Sequence, residues 1–403
     1  MRALFGPTVF AVSLTLLLLA AAGAWGTRAV DPVDELAKAA ACVDPERPLD
    51  SRHEREAARL LDRWAPTFVQ HVARDDAGRD RPTRIDFDGD WDTTNNWDHQ
   101  AEFGTDLPPA VYGAAVLTET HAYLTYTLYY PRDWIRPFCL PYICHDNDLE
   151  NVLVVVERDG GLVLIETKAH FRYHELTADE LATDDDGRPL VMVEAMGHGP
   201  RPCGPGDDVC EPRLGRLVYA RGDEPSPPPR EADGRRVDYE LIPLRDSLWA
   251  RRHIAEDTLG LWEPGETGPL VYAGERCGRV GGALGASMAG KRYPGGVRPP
   301  WGLRGQSGAR GDWFLDPAAV SAARHPHLAA AGPGAFDYVF HPYLKDLARE
   351  CVGDSCRPYT PPPEPSRAGT WVGFGAVAGL LAFALLRANA RLVRYAPRRS
   401  RGR

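Results

Sequence analysis

Lysine is nearly missing from this chain: four of its 47 basic residues are lysine and the rest are arginine. That bias fits a GC-rich coding sequence and by itself points to no partner. Several motifs of common chemistry are absent as well. There is no G-x-S-x-G elbow and no H-E-x-x-H pair, so two large hydrolase classes lack their signatures. No C-x-x-C or paired Cys/His spacing occurs, which weighs against a structural zinc site as the use of the cysteines. The body of the chain is also short of positive charge. Residues 1–25 carry +1 and residues 387–403 carry +7, so the remainder holds −17 within a total of −9. Such a body repels the phosphate backbone that supplies most nucleic-acid affinity, and no nucleic-acid partner is expected.

What is present is a globular composition, 43% hydrophobic and 26% charged over 403 residues. Forty glycines and thirty-six prolines favour many turns and short strands over a helical bundle. Both ends are apolar. Residues 1–26 have a basic start (Arg2), an apolar centre at Leu16–Leu19 and a small-residue site at Ala22-Gly23-Ala24, the pattern of a signal peptide or a retained N-terminal anchor. Toward the other end, residues 358–369 form a proline-rich stalk and residues 370–393 a candidate transmembrane helix, followed by an arginine-rich tail over 394–403. Arginines on that one flank place it in the cytoplasm, leaving 27–357 as an extracytoplasmic body on a single-pass protein. Eight cysteines, an even number, agree with an oxidising compartment. Proximity alone suggests the pairs Cys139–Cys144, Cys203–Cys210 and Cys351–Cys356, with Cys42–Cys277 left over; 105 pairings of eight cysteines are open.

Residues 50–64 read as a helix. Ser51-Arg-His-Glu54 has a capping-box pattern, Ala57, Leu60, Leu61 and Trp64 share a face, and Pro66 ends it. From about residue 110 the period becomes two, with strands expected at 121–130, 151–157, 162–167, 189–195 and 214–220, and turns at Arg158-Asp-Gly-Gly161 and Asp184-Asp-Asp-Gly187. Helices are expected at 246–255 and 316–323. Strands without intervening helices predict a mainly β fold, an antiparallel β-sandwich with peripheral helices and a core over about 85–245.

One stretch concentrates candidate chemistry. Tyr129-Tyr-Pro-Arg-Asp133 precedes an eleven-residue excursion, and His145-Asp-Asn-Asp148-Leu-Glu150 then enters a hydrophobic strand. Residues two apart on a strand face the same way, so Asp148 and Glu150 share a side, while His145 joins them only if the strand begins with a bend. With Asp133 they make an O,O,O,N set suited to Mg²⁺, Ca²⁺ or Mn²⁺, and a cation would relieve the repulsion among the carboxylates. The alternative is an ordinary polar strand start. A second acidic run, Asp86-Phe-Asp88-Gly-Asp90-Trp-Asp92, has glycine fourth and Trp97 twelfth, not the EF-hand order, and reads as a solvated turn. Asn95-Asn-Trp97-Asp98-His99 has the polar and aromatic composition of a sugar or headgroup surface.

The pair YYPRD and HxxDxE resembles the signature of the necrosis- and ethylene-inducing peptide-like proteins, a Y-F/M-P-K-D segment followed by G-H-R-H-D-W-E. The resemblance spans about residues 120–200 and implies a β-sandwich with divalent-cation ligands at Asp133, His145, Asp148 and Glu150. A broader vacuolar-sorting-like group shows similar flanking segments, which correspond here to His170, His174 and the run Pro189–His198. Those three histidines become candidates to complete the cation's surroundings. Cys144, Asp146, Asn147 and Leu149 depart from the family's Gly, Arg, His and Trp. Three functions remain in view: a membrane-anchored binding module for a lipid headgroup or glycan, a metal-dependent hydrolase of phosphate or ester bonds, and a disulfide-stabilised envelope scaffold. Whether the protein is an enzyme is left open by the residues.

Overall fold

The computed structural model describes residues 50–73, 77–93, 95–103, 108–133, 145–169, 172–227, 229, 231–251, 269–272, 275–279, 313–314, 317–329 and 337–343. Both apolar termini, the stalk and the arginine tail lie outside these residues, as do the pairs Cys139–Cys144 and Cys351–Cys356 and Cys42 of the fourth pair. No helix among the described residues is long and apolar enough to cross a membrane.

Helix α1, Ser51–Arg63, forms where the apolar spacing placed it and buries Ala57, Leu60 and Leu61. Its cap differs from the capping box expected at Ser51. Asp50, extended and one residue earlier, accepts the Arg52 N–H at 2.8 Å, so Ser51 is already helical. Trp64 closes the helix, and Pro66 prevents its continuation. An Arg158–Glu56 fork ties α1 to the sheet, with Nε to Oε1 at 2.8 Å and Nη2 to Oε2 at 2.6 Å. The Arg158 hydrogen bonds hold the Glu56 carboxyl below its usual value of 4.5. Glu56 is depressed, so its contribution is present above that value and lost as pH falls below it. Glu56→Gln should lower stability at pH 7 by no more than about 1 kcal/mol, the pair being partly solvated, and should flatten the acid limb of the stability curve. Urea unfolding at pH 7 and pH 4 checks both.

Thirteen strands follow among the described residues: β1 Thr67–His71, β2 Ala110–Thr118, β3 His121–Asp133, β4 His145–Glu157, β5 Leu162–Ala169, β6 Arg172–Thr177, β7 Leu190–Val193, β8 Pro200–Pro202, β9 Arg216–Arg221, β10 Arg236–Pro243, β11 Pro269–Tyr272, β12 Glu275–Arg279 and β13 Asp337–Phe340. They join in the order β6-β5-β4-β3-β2-β10-β9-β1-β7-β8, with β13 beside β2, then β11 and β12. Strands β2 to β6 form an antiparallel meander; β3, β4 and β5 cover the strands expected at 121–130, 151–157 and 162–167, while β2 and β6 are not among those expected. The purely antiparallel expectation is corrected elsewhere: β10 runs parallel to both β2 and β9, and β1 parallel to β7. Alternation reports which face is buried; it does not report which way a neighbour runs. In the expected helix over 246–255, residues 249–251 form a single 3-10 turn. The other expected helix forms as α3, Pro317–Arg324 (α2 being the short Asn96–Phe103), and α4, Pro326–Ala329, follows it.

The sheet has core on both faces. One layer joins Leu124, Tyr126, Val152 and Val154 of β3 and β4 to Phe68, Val191 and Tyr219 of β1, β7 and β9, so the sheet folds back on itself in a sandwich-like, nearly closed form. Closure is drawn tight where Thr167 Oγ1 on β5 donates to the Pro200 carbonyl on β8 at 2.7 Å. The opposite layer packs Tyr123, Leu153 and Val155 with Trp313 and Phe314 and with Ala318 of α3. Double coverage explains why Val152–Val156 is an unbroken apolar run. Gly160 (φ +108) and Gly187 (φ +71) occupy left-handed positions in the two turns read from sequence.

Of the proposed disulfides, Cys203–Cys210 is formed, with Cα atoms 6.1 Å apart and both residues buried. It closes a short loop, so Cys203→Ser with Cys210→Ser should cost about 2–3 kcal/mol in oxidised protein by the chain-entropy relation. Urea unfolding with and without reductant measures it.

Candidate functional site

Strand β3 runs to Asp133 and β4 begins at His145, so the 134–144 excursion joins the ends of the longest ladder in the fold. Across that ladder Asp133 pairs with His145, Tyr130 with Asp148 and Leu128 with Glu150. All four sequence candidates therefore lie at one end of one hairpin. Asn147 sits between them with φ of 60, a left-handed bend inside the strand. Asparagine tolerates that conformation, and its side chain is fixed: Tyr129 Oη donates to Asn147 Oδ1 at 2.7 Å, and Asn147 Nδ2 donates to the Thr93 carbonyl at 2.7 Å. Asn96 also donates to Asn147 Oδ1, at 3.2 Å, so Asn96 is buried packing and not part of a sugar-lining surface.

The structure places Asp148 and Glu150 on the inner face of β4, 6% and 5% exposed. His198 meets them there. Its Nδ1 lies 2.9 Å from Asp148 Oδ2 and its Nε2 lies 3.2 Å from Asp80 Oδ1, so an imidazolium is held between two carboxylates. Its ring stacks on Tyr130, centroids 3.7 Å apart and planes 3° from parallel. Tyr130 Oη in turn donates to Gln70 Oε1 at 2.7 Å. Burial by itself would push the imidazole down, but its hydrogen bonds to Asp148 and Asp80, reinforced by their charges, lift it to about 10. His198 is thus a fixed cation at neutral pH and a poor proton carrier there.

Asp80 comes from a segment that carries no periodic signal. It is fully buried just after a 3-10 turn, Ala77–Arg79. Its Oδ2 accepts the Ala73 N–H at 2.6 Å, and Oδ1 accepts the Met196 N–H at 2.7 Å. Met196 and His198 both have positive φ, 71 and 49. Such conformations cost roughly 1–3 kcal/mol each and concentrate where the surroundings impose them. Here the imposed geometry delivers one backbone N–H and one imidazolium to the same carboxylate. Asp80, Asp148 and Glu150 all act on Tyr130 through their charge, placing three carboxylates around one ring. Arg132, also buried, is two residues along β3 on the side of Tyr130.

His174 is not among the residues gathered at this cluster. His174 is half-buried on β6 opposite Thr167, where burial, and then Arg201, hold its imidazole below the usual 6.5. His170 lies outside the described residues, as does the side chain of His145. In the second acidic run, Asp88 is paired with His99 Nδ1 at 2.5 Å, and Asp90 and Asp92 form backbone turns.

No protein-family model matches the chain, and no curated protein matches it. The solved structures that resemble it are necrosis- and ethylene-inducing toxin-fold proteins, the family that the two motifs resemble. One, described as a toxin fold for microbial attack and plant defense, is 15% identical over 54% of this chain and 84% of its own, with a TM-score of 0.27. Another is necrosis and ethylene inducing protein 2 from the causal agent of cocoa's witches' broom disease, 14% identical over 49% of this chain and 90% of its own, with a TM-score of 0.25. A third is NLPPya in complex with mannosamine, 16% identical over 50% and 82%, with a TM-score of 0.25. Similarity this low superposes no individual residue.

Proposed function

We propose that this chain is an exported binding module that holds one divalent cation at the end of the β3–β4 hairpin and uses it to engage an anionic or polyhydroxyl headgroup, of a lipid or a glycan, with the apolar C-terminal segment as its membrane anchor. The observation that carries this is the pair Asp148 and Glu150, both almost wholly buried on one face of β4, beside Asp80 and at the end where Asp133 and His145 pair across the ladder. Carboxylates are rarely buried in such number without cations among them. His198 and Arg132 supply internal charge, and a Mg²⁺, Ca²⁺ or Mn²⁺ held by Asp133, His145, Asp148 and Glu150 would complete it. Oxygen-rich ligation of this type suits those hard ions.

Binding is favoured over hydrolysis because His198, at the cluster, is engaged on both ring nitrogens by Asp148 and Asp80. Calorimetric titration of the chelator-stripped full chain in detergent with Ca²⁺, Mg²⁺ and Mn²⁺ tests this. Saturable binding should appear in the parent and fall at least tenfold in Glu150→Gln and Asp133→Asn. Equal affinity in parent and both variants removes the proposal. Vesicles of anionic lipid and a glycan panel, each with and without the cation, then separate the two headgroup sources.

A further inference from the structure

A second cluster lies on the opposite face of the sheet, where α3 and α4 pack against β5 and β6. Glu166 and Glu175 are direct cross-strand partners, an arrangement in which like charges repel. Glu166 is 1% exposed, whereas Glu175 reaches solvent. His325, the residue that follows α3, brings Nε2 to 2.9 Å from Glu166 Oε2 and 3.5 Å from Glu175 Oε2. Arg324 Nε donates to the same Glu166 Oε2 at 2.7 Å, its guanidinium lying 3.4 Å over the Tyr173 ring. Both Arg324 and His325 engage Glu166 through Oε2. Its other oxygen, Oε1, is buried with no hydrogen-bond partner, and so is Ser321 Oγ, one helical turn before His325 on the same face. An orphaned carboxylate oxygen costs about 1–3 kcal/mol when nothing answers it.

We propose that Glu166, Glu175 and His325 form a second metal site, which takes Zn²⁺ through one imidazole nitrogen and two carboxylate oxygens. One ligand atom from each of the three already lies within 4.8 Å of the others. Tetrahedral zinc with bonds of about 2.0–2.1 Å separates its ligand atoms by about 3.3 Å, close to the 3.5 Å between His325 and Glu175. A nitrogen donor with two oxygens favours zinc over the hard ions suited to the first site. Arg324 keeps Glu166 Oε2 and so orients the ligating carboxylate from outside the metal's own shell. His325 would ligate as the neutral imidazole, through the Nε2 lone pair with its N–H on Nδ1, so that any proton beyond that one passes to solvent on binding. Half-exposed Glu175 gives the ion its entry path. The metal would pin the α3–α4 corner to the outer hairpin of the sheet, which makes it a structural clamp.

The test uses oxidised, chelator-stripped full chain in detergent, so that the cysteines do not compete. Equilibrium dialysis against Zn²⁺ should show one equivalent that is missing in Glu175→Gln and in His325→Gln and retained in Glu150→Gln. Zinc should raise the melting temperature of the parent and of Glu150→Gln, and leave that of Glu175→Gln unchanged. Glu175 is partly solvated, so its variant should fold even where His325→Gln does not, and it then decides alone. Zinc uptake by Glu175→Gln equal to the parent's overturns the site, as does loss of the equivalent in Glu150→Gln instead. Failure of the first cation site would show as absent Ca²⁺, Mg²⁺ and Mn²⁺ binding and leaves this result untouched.

Discussion

His198→Ala should destabilise the protein by about 3–5 kcal/mol in chelator, measured by urea unfolding at pH 7. The magnitude comes from what is left behind. Asp80 and Asp148 are buried, and the imidazolium is the cation that sits between them at 3.2 and 2.9 Å. Removing it takes from two buried carboxylates the cation hydrogen-bonded to both, in a medium that solvates charge poorly, and it unstacks the ring on Tyr130. The double variant His198→Ala/Asp148→Asn should be more stable than His198→Ala alone, because one stranded charge is gone; the coupling between the two sites is read from the full cycle. A loss below about 1 kcal/mol in His198→Ala would mean that the buried ion triad does not exist.

The same triad sets an alkaline dependence. His198 is raised from 6.5 to about 10 in the folded protein. A raised histidine contributes its full stabilisation below 6.5 and loses it as pH climbs through about 10, because the folded state binds a proton that the unfolded chain has released. Between those values the slope approaches about 1.4 kcal/mol per pH unit. Unfolding free energy should therefore drop by about 2–3 kcal/mol from pH 7 to pH 9, below the range in which tyrosines of the unfolded chain ionise. His198→Gln should remove that slope whatever its absolute stability. A parent curve that stays flat from pH 7 to pH 9 would contradict the charged assignment of His198.

Much of this architecture was legible in the residues, for reasons that can be named. Helix α1 was marked by its apolar spacing and by Pro66, and β3 to β5 by β-branched runs between turns whose glycines require left-handed backbone. The Cys203–Cys210 bridge followed from nearness in the chain. Asp80 was not legible. It stands between two arginines in a segment without periodicity, just after the Ala77–Arg79 turn, and its contact with His198 spans 118 residues of sequence. The parallel partners of β10 were equally hidden, since a strand's own side chains do not encode the direction of its neighbours. His198 stood in the sequence as one of three interchangeable histidines. What distinguishes it is a backbone conformation, and no residue pattern in Ala195–Gly199 announces that except the glycines themselves.

The seam between β5 and β8 has a bearing on how such a domain behaves at a crowded surface. Strands at the limits of a sheet offer unsatisfied amide and carbonyl groups to any passing chain. Here the β6 and β8 ends of the main strand order lie against one another, and the Thr167–Pro200 bond stitches β8 to β5, the neighbour of β6. Each shields its counterpart, so neighbouring copies packed side by side find little ribbon to extend along this seam. Thr167→Val would cut that stitch while leaving the cores intact, and self-association should be the first property to change.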